Sequence, residues 1–269
     1  MINSVFTYTF SIATIVSKWS EYETMKTSFE NAGFTNDCEY LVADNTRENV
    51  YDAYTAINYF KQAAQGRYLI VVHQDVVCID HKERLLAILE KLNITDSSWA
   101  IAGNAGYNGY HQPRMHITYG GNKVTTTPLP ARVQSLDENL LVINNSKPIT
   151  VSPNIRGFHL YGTDICLRAA QQQYTAYVIP FMVHHFSMGN LKDLESFIPR
   201  FIQVYENYVP GQFIQTTCTR FYIGGGTNKS IRYNNKFFFF FVKLAERLKQ
   251  SIAFLKGATR YKTSKQVLA

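Results

Sequence analysis

Residues 67–80 read RYLIVVHQDVVCID. Tyr68 to Val72 run without a polar break, and the chain then presents His73, Gln74 and Asp75 before turning apolar again. An uninterrupted apolar run that follows a glycine (Gly66) and ends in a polar triplet is how a strand buried on both faces reads. Open α/β sheets bind their ligands beyond the carboxyl ends of such strands. The triplet therefore decides the fold class and marks where function is to be sought.

The flanking sequence keeps the same rhythm. FSIATIV (10–16) reads as a strand, EYETMKTSFENA (21–32) as a helix closed by Gly33, and CEYLVA (38–43) as a second strand. Residues 50–65 read as a helix with apolar positions Tyr54, Ile57 and Phe60 and a stop at Gly66. This alternation predicts an α/β fold, a mainly parallel, Rossmann-like sheet flanked by crossover helices. WAIA (99–102), LLVI (140–143) and AYVIPFMV (176–183) read as further buried strands, and residues 163–173 as a helix. Between them, residues 107–130 are punctuated by Gly109, Pro113, Gly120, Gly121, Pro128 and Pro130 and read as loop or hairpin. The tyrosines and histidines around Arg114 in that stretch suit a sugar, with an ordinary surface loop as the plain alternative.

At 269 residues and 46% hydrophobic, the chain can bury a full core. Its four cysteines (Cys38, Cys78, Cys166, Cys218) show no metal-ligand spacing, and no charged-then-apolar leader opens the sequence, so a cytoplasmic protein with reduced thiols is expected. The apolar run at residues 5–16 is too short, and too rich in Thr and Ser, to span a membrane. The net charge of +7 is unevenly spread. Residues 232–269 carry nine Lys/Arg against the single acid Glu246, leaving 18 basic and 19 acidic residues in the body. A neutral body argues against nucleic acid as the partner.

The triplet's chemistry is one carboxylate with an imidazole beside it. That suits a divalent cation held together with a phosphate-bearing substrate. An Asp at a strand end more often caps a turn, and taken alone the triplet decides little. Asp44-Asn45 ends the second strand, however, and His184-His185 ends the apolar run 176–183. Polar groups at three strand ends on one sheet edge can converge although they lie far apart in sequence.

The stretch NYFKQAAQGRYLIVVHQDV (58–76) resembles the central part of inverting nucleotide-sugar glycosyltransferases of the large family 2 type, most nearly the streptomycin-biosynthesis-type branch. EYLVADN (39–45) is similar to that family's strand ending in Asp-Asn, and DICLRAAQQQYTAYVIPFMVHH (164–185) to its Asp-x-Cys-Leu-Arg helix followed by a strand closing on His. The likeness is gapped but colinear over roughly residues 8–190. It implies a GT-A-type domain over residues 1–230 that inverts the anomeric centre of a nucleotide-diphosphate sugar donor. It also implies a divalent cation (Mn2+ or Mg2+) and a saccharide or lipid-linked acceptor in surface polysaccharide or glycoconjugate synthesis. Two departures stand out. His73 replaces the first acid of the family's triplet, and Tyr161 and Gly162 replace an acidic pair whose second member is the usual base. A catalytically inactive nucleotide-sugar or carbohydrate-binding module is therefore the rival reading.

Transfer with inversion needs a donor pocket, a positive group against the diphosphate and a base for the acceptor hydroxyl. For the nucleotide, the expected residues are Val16, Ser17, Asp44, Asn58, His73 and Gln74. For the metal they are Asp75, His184 and His73. For the base, Asp164 is the first candidate, with Asp137 and Glu138 in QSLDENLLVI as the alternative; a helix cap and a solvated turn are their structural readings.

Residues 231–269 read as a basic tail. KFFFFFVKLAERLKQSIAFLK (236–256) places Phe237, Phe241, Leu244, Leu248, Ile252 and Leu255 at spacings of 3 and 4, an amphipathic helix too short in its apolar run to span a bilayer. Such a helix lies at an anionic membrane surface, here the inner face of the cell membrane, or packs on the body or on a second copy of the chain.

Overall fold

The computed structural model describes residues 6–109, 112–187, 191–235 and 238. The elements run β1 (Tyr8–Val16), α1 (Trp19–Asn31), β2 (Cys38–Asp44), α2 (Ala53–Ala63), β3 (Gly66–Val72), β4 (Val76–Cys78), α3 (Lys82–Thr95) and β5 (Trp99–Gly103). There follow β6 (Ala105–Tyr107), β7 (Pro113–Tyr119), β8 (Asn122–Thr125), β9 (Ala131–Val133), β10 (Ser135–Leu136), β11 (Leu140–Asn144), α4 (Tyr161–Gln171), β12 (Thr175–Val178) and β13 (Val183–His185). The chain continues through α5 (Leu191–Tyr205), β14 (Gln212–Gln215), β15 (Arg220–Ile223) and α6 (Thr227–Tyr233).

A seven-stranded sheet in the order β2-β1-β3-β11-β5-β12-β9 forms the centre. β2, β1 and β3 are mutually parallel, as are β5 and β12, whereas β11 and β9 run antiparallel to their neighbours, so the sheet is mixed with most of its strands pointing one way. β11 reverses because it continues directly from β10 in a second, smaller sheet, order β10-β6-β7-β13-β4, and enters from the sheet's carboxyl edge.

Strand alternation divides the core into two layers. Phe10, Ile12, Tyr68, Ile70, Val72, Leu140 and Val142 pack on α1 and α3 through Met25, Phe29, Leu85 and Leu89. Ala13, Leu69, Val71, Leu141 and Ile143 pack on α2, α4 and α5 through Ile57, Phe60, Ile165 and Phe201. Full burial of a side chain such as Phe60 or Phe29 is worth about 1.5–3 kcal/mol each. Both faces covered by helices is the reason the strands read as continuous apolar runs.

One expectation is narrowed and one is corrected. Residues 107–130 are largely a hairpin: β7 and β8 pair across Gly120-Gly121, both at positive φ, where glycine meets no steric penalty. The apolar run 176–183 is not one strand. Pro180 supplies no N–H for a ladder, and the chain passes from β12 in the main sheet to β13 in the small one. No helix among the described residues is long and apolar enough to cross a membrane. The tail helix expected over 236–256 lies outside the described residues except for Phe238, which stacks on Phe213 of β14 and meets Tyr233 edge-on. α6 runs through the boundary expected at 230/231.

β3 begins so close to β1 that its first residue has to be glycine. A Cβ on Gly66 would lie 2.5 Å from the Ser11 nitrogen and 2.6 Å from the Phe10 carbonyl carbon. Gly66→Ala is expected to cost on the order of 1–3 kcal/mol in urea unfolding, because backbone cannot yield as a flexible side chain can. An unchanged midpoint would contradict this packing.

Candidate functional site

The parallel register places Val16 opposite Asp44 and Ala13 opposite Val71, so β1, β2 and β3 end on one edge. Gln74 fastens that edge. Its Oε1 accepts the N–H groups of Ser17 (2.8 Å) and Lys18 (3.1 Å), and its Nε2 donates to Ser17 Oγ (2.8 Å) and Glu21 Oε2 (2.9 Å). No side chain caps α1 from its own N-cap residue, Lys18, so Gln74 satisfies donors that the helix start leaves open.

On either side of Gln74, His73 and Asp75 turn toward β13. His73 Nδ1 lies 3.9 Å from Asp75 Oδ1, and His185 Nε2 lies 3.4 Å from the same oxygen. One ligand atom from each of His73, Asp75 and His185 falls within 4.8 Å of the others, a group able to hold a metal ion. His185 pairs with Val76 of β4, and the Phe186 N–H donates to the Asp75 carbonyl, so β13 and β4 together position the cluster. The expected ligand His184 is not part of it. Neighbouring residues of a strand point to opposite faces, and the His184 ring meets Phe186 edge-on at 4.4 Å instead.

The electrostatics suit a cation. Burial opposes the Asp75 charge, but hydrogen bonds from His185 and Ser187 and both imidazoles outweigh it and hold the carboxyl well below its ordinary range. Burial, then the charge of His185, hold His73 below its ordinary value, which favours the neutral imidazole a metal requires. Two imidazoles and one carboxylate are a donor set for a divalent transition ion.

The two adjacent acids of the β10–β11 connection have opposite environments. Asp137 accepts from Asn139 N–H (3.1 Å), Asn139 Nδ2 (2.6 Å) and the Thr217 hydroxyl; burial raises its carboxyl, but these bonds prevail and hold it low. The Glu138 carboxyl is pushed up to about 8, first by burial and then by Asp137, although it accepts the N–H groups of Gly162, Tyr161 and Leu160. Those donors form a cradle because Leu160, before α4, sits in the left-handed region at φ 60°. α4 starts tightly against β10, where a Cβ on Gly162 would meet the Leu136 carbonyl oxygen at 2.4 Å and Glu138 Cγ at 3.3 Å. Glu138 remains half-buried, open in part to solvent. Nearby, the Asn139 Oδ1 and both side-chain polar atoms of Asn104 are buried without a partner among the described residues.

The remaining expected residues are spread more widely. Asp44 is exposed at the end of β2, where one carboxylate oxygen accepts from Thr46 N–H (2.8 Å) and Oγ1 (2.7 Å); those bonds keep its carboxyl below its ordinary value. Val16 is fully buried and its carbonyl accepts the Asn45 N–H, so it shapes the edge without presenting a side chain. Asn58 lies in mid-helix in α2, where its Oδ1 accepts from Thr150 Oγ1 at 2.6 Å, a packing bond remote from the strand ends. Asp164 is fully buried within α4. One carboxylate oxygen accepts the Ser152 N–H (2.7 Å) and the other the Tyr205 hydroxyl, so it joins the approach to α4 to α5 and presents no free oxygen to a cleft.

Sequence reasoning missed Tyr161 as a contact of the cluster. Its hydroxyl lies 2.6 Å from His73 Nε2 and 3.1 Å from the Glu138 carbonyl oxygen. The helix was expected only from residue 163, so Tyr161 fell just outside it, and a tyrosine beside a glycine does not by itself reveal a partner 88 residues away.

No family model matches the chain. A curated protein of Fuscovulum blasticum, "ATP synthase subunits region ORF 6", is 32% identical over 230 residues, covering 82% of this chain and 92% of that protein. The chain belongs to the family of that protein. Among solved structures, "Crystal Structure of A197 from STIV" superposes with a TM-score of 0.40 at 14% identity over 66% of this chain and 85% of that one, a likeness too loose to argue from. In this ORF 6 family member, the strand-end cluster is therefore read from its own geometry.

Asp164→Ala is expected to leave the Tyr205 hydroxyl and the Ser152 N–H unpaired in the core and to lower stability by on the order of 2–3 kcal/mol in urea unfolding. A variant as stable as the wild type would contradict this structural role.

Proposed function

We propose that this chain is a metal-assisted, inverting glycosyltransferase of GT-A type that takes its sugar from a nucleoside diphosphate. The observation that carries this reading is a cluster able to hold a cation (His73, Asp75, His185), joined through the Tyr161 hydroxyl to the residue of a second acid, Glu138, whose carboxyl burial pushes up. The sequence resemblance supports the same reading, and the mixed sheet with its carboxyl-edge site is compatible with it. His73, Asp75 and His185 would hold a divalent ion there, which would offset charge on the donor's diphosphate. Ser17 and Asp44, at the ends of β1 and β2, stand where the nucleoside would lie along the same edge. The tie from Gln74 keeps the β1 end in place for it.

Of the three acids considered for the base, Glu138 fits best. Neighbouring acids whose environments push their pKa values apart tend to divide the work, one held as the anion and one poised to exchange a proton. Asp137 is the held anion and Glu138 the poised group. In the transfer, the acceptor hydroxyl oxygen forms the new bond to the anomeric carbon and its proton passes to the Glu138 carboxylate. The bond from that carbon to the diphosphate breaks with its electron pair, and the nucleoside diphosphate leaves. The unpartnered amide of Asn104 and the unpartnered Oδ1 of Asn139 are suited to sugar hydroxyls, which both donate and accept. Saccharide or lipid-linked acceptors, and a place in surface polysaccharide synthesis, rest on the resemblance alone.

Calorimetric titration with UDP, GDP and dTDP, with and without Mn2+, tests the donor site. One nucleotide should bind in a metal-dependent way to the wild type and lose that dependence in Asp75→Ala. A folded protein that binds none of them contradicts the transferase reading, whereas binding without turnover of any acceptor would favour a non-catalytic nucleotide-sugar module.

Glu138→Gln is expected to lower the transfer rate by about 10²–10⁴-fold while nucleotide and metal still bind. The base works ionised, so wild-type kcat/KM should climb as pH rises through about 8 and fall roughly tenfold per pH unit below it. A pH profile flat between 6 and 9, or an active Glu138→Gln, would place the base elsewhere.

A further inference from the structure

Tyr161 is buried at the first turn of α4, yet its hydroxyl reaches two groups belonging to the site. A tyrosine hydroxyl has one proton to donate and lone pairs to accept with, and a carbonyl oxygen only accepts. With the Glu138 carbonyl at 3.1 Å, the hydroxyl proton goes there. The 2.6 Å contact to His73 Nε2 must then be made by a hydrogen on the imidazole. In the neutral ring, a proton on Nε2 leaves Nδ1 with its lone pair. Nδ1 is the nitrogen 3.9 Å from Asp75 Oδ1, the oxygen that also faces His185 Nε2.

We propose that Tyr161 is a positioning residue, which fixes His73 as the Nε2–H tautomer and so aims its Nδ1 lone pair, with Asp75 and His185 Nε2, at a site for a divalent transition ion. The inference rests on reading His73, Asp75 and His185 as a cation site and deepens it by naming what orients the weakest-held ligand. His185 is positioned by its strand pairing with β4, and Asp75 by the strand connection it starts. His73 stands just past the end of β3, more exposed than either, with 38% of its side chain accessible against 20% for Asp75 and 12% for His185. Without the tyrosine, the ring is free to turn and to place its proton on either nitrogen. Partners of this outer kind commonly change metal affinity 10–100-fold. The mixed nitrogen and oxygen donors also favour Mn2+ or Zn2+ over Mg2+, which prefers oxygen ligands and retained waters.

The tautomer can be read on the wild type without nucleotide or activity. In protein labelled with 15N-histidine, long-range proton–nitrogen spectra should show His73 protonated at Nε2, and added Zn2+ should shift Nδ1 of His73 and Nε2 of His185. Tyr161→Phe, which keeps the ring and its packing, should bind Zn2+ at least 10-fold more weakly in competition with a chelator and show His73 as a mixture of tautomers. His73 protonated at Nδ1, or an unchanged affinity in a folded Tyr161→Phe, would overturn the inference while leaving the cation site standing. A wild type that binds neither Zn2+ nor Mn2+ would overturn both.

Discussion

The parallel hydrogen-bond register of β2, β1 and β3 is the constraint on which the site depends. It brings Val16, Asp44 and the residues after Val72 to one edge of the sheet, although these consecutive strand ends lie 28 positions apart in sequence. Gly66 allows β3 to start against β1, and Gln74 ties the β3 end to the β1 end through four hydrogen bonds. The small sheet then adds its own contribution. β13, paired with β4, returns His185 to the residue that follows Gln74. Rigid strands therefore carry every group of the cation cluster or hold the turn that does, as a site of fixed geometry requires.

Around this frame the titratable groups are sorted by their surroundings. Asp75 is kept ionised by two imidazoles, and Asp137 by hydrogen bonds from Asn139 and Thr217. Glu138, one residue from Asp137, rests on three backbone N–H groups, so burial dominates and its carboxyl takes up a proton more readily. The strained Leu160 and the close-packed Gly162 build the cradle that holds it. An acid on α4 at position 162 would have no room there. The same contact that excludes a side chain from 162 brings Glu138 beside it.

The fold class was legible because both sheet faces are buried: FSIATIV, CEYLVA and RYLIVV announce themselves as continuous apolar runs. The first two helices were legible from spacing and from Gly33 and Gly66. α3 was legible but overlooked, since Leu85, Leu89 and Leu92 stand at helical spacing. α5 was obscured by Pro199 within it. The antiparallel β11 could not be read, because strand direction is set by connections to a second sheet made of strands only two to seven residues long. In the site, His73 and Asp75 were found from position alone. The choice of His184 over His185 failed because sequence gives alternation along β13 without saying which face turns inward. Asn58 and Asp164 read as site residues, yet their bonds to Thr150, Ser152 and Tyr205 depend on helix packing that no local pattern encodes.

The central claim is that His73, Asp75 and His185 hold a divalent cation at this edge. Anomalous diffraction from crystals grown with Mn2+, recorded on either side of the manganese absorption edge, tests it most directly. The account predicts one strong anomalous peak within coordination distance, about 2.0–2.3 Å, of His73 Nδ1, Asp75 Oδ1 and His185 Nε2, with His184 uninvolved. A peak elsewhere, or none at saturating Mn2+ with the three side chains in place, would contradict it.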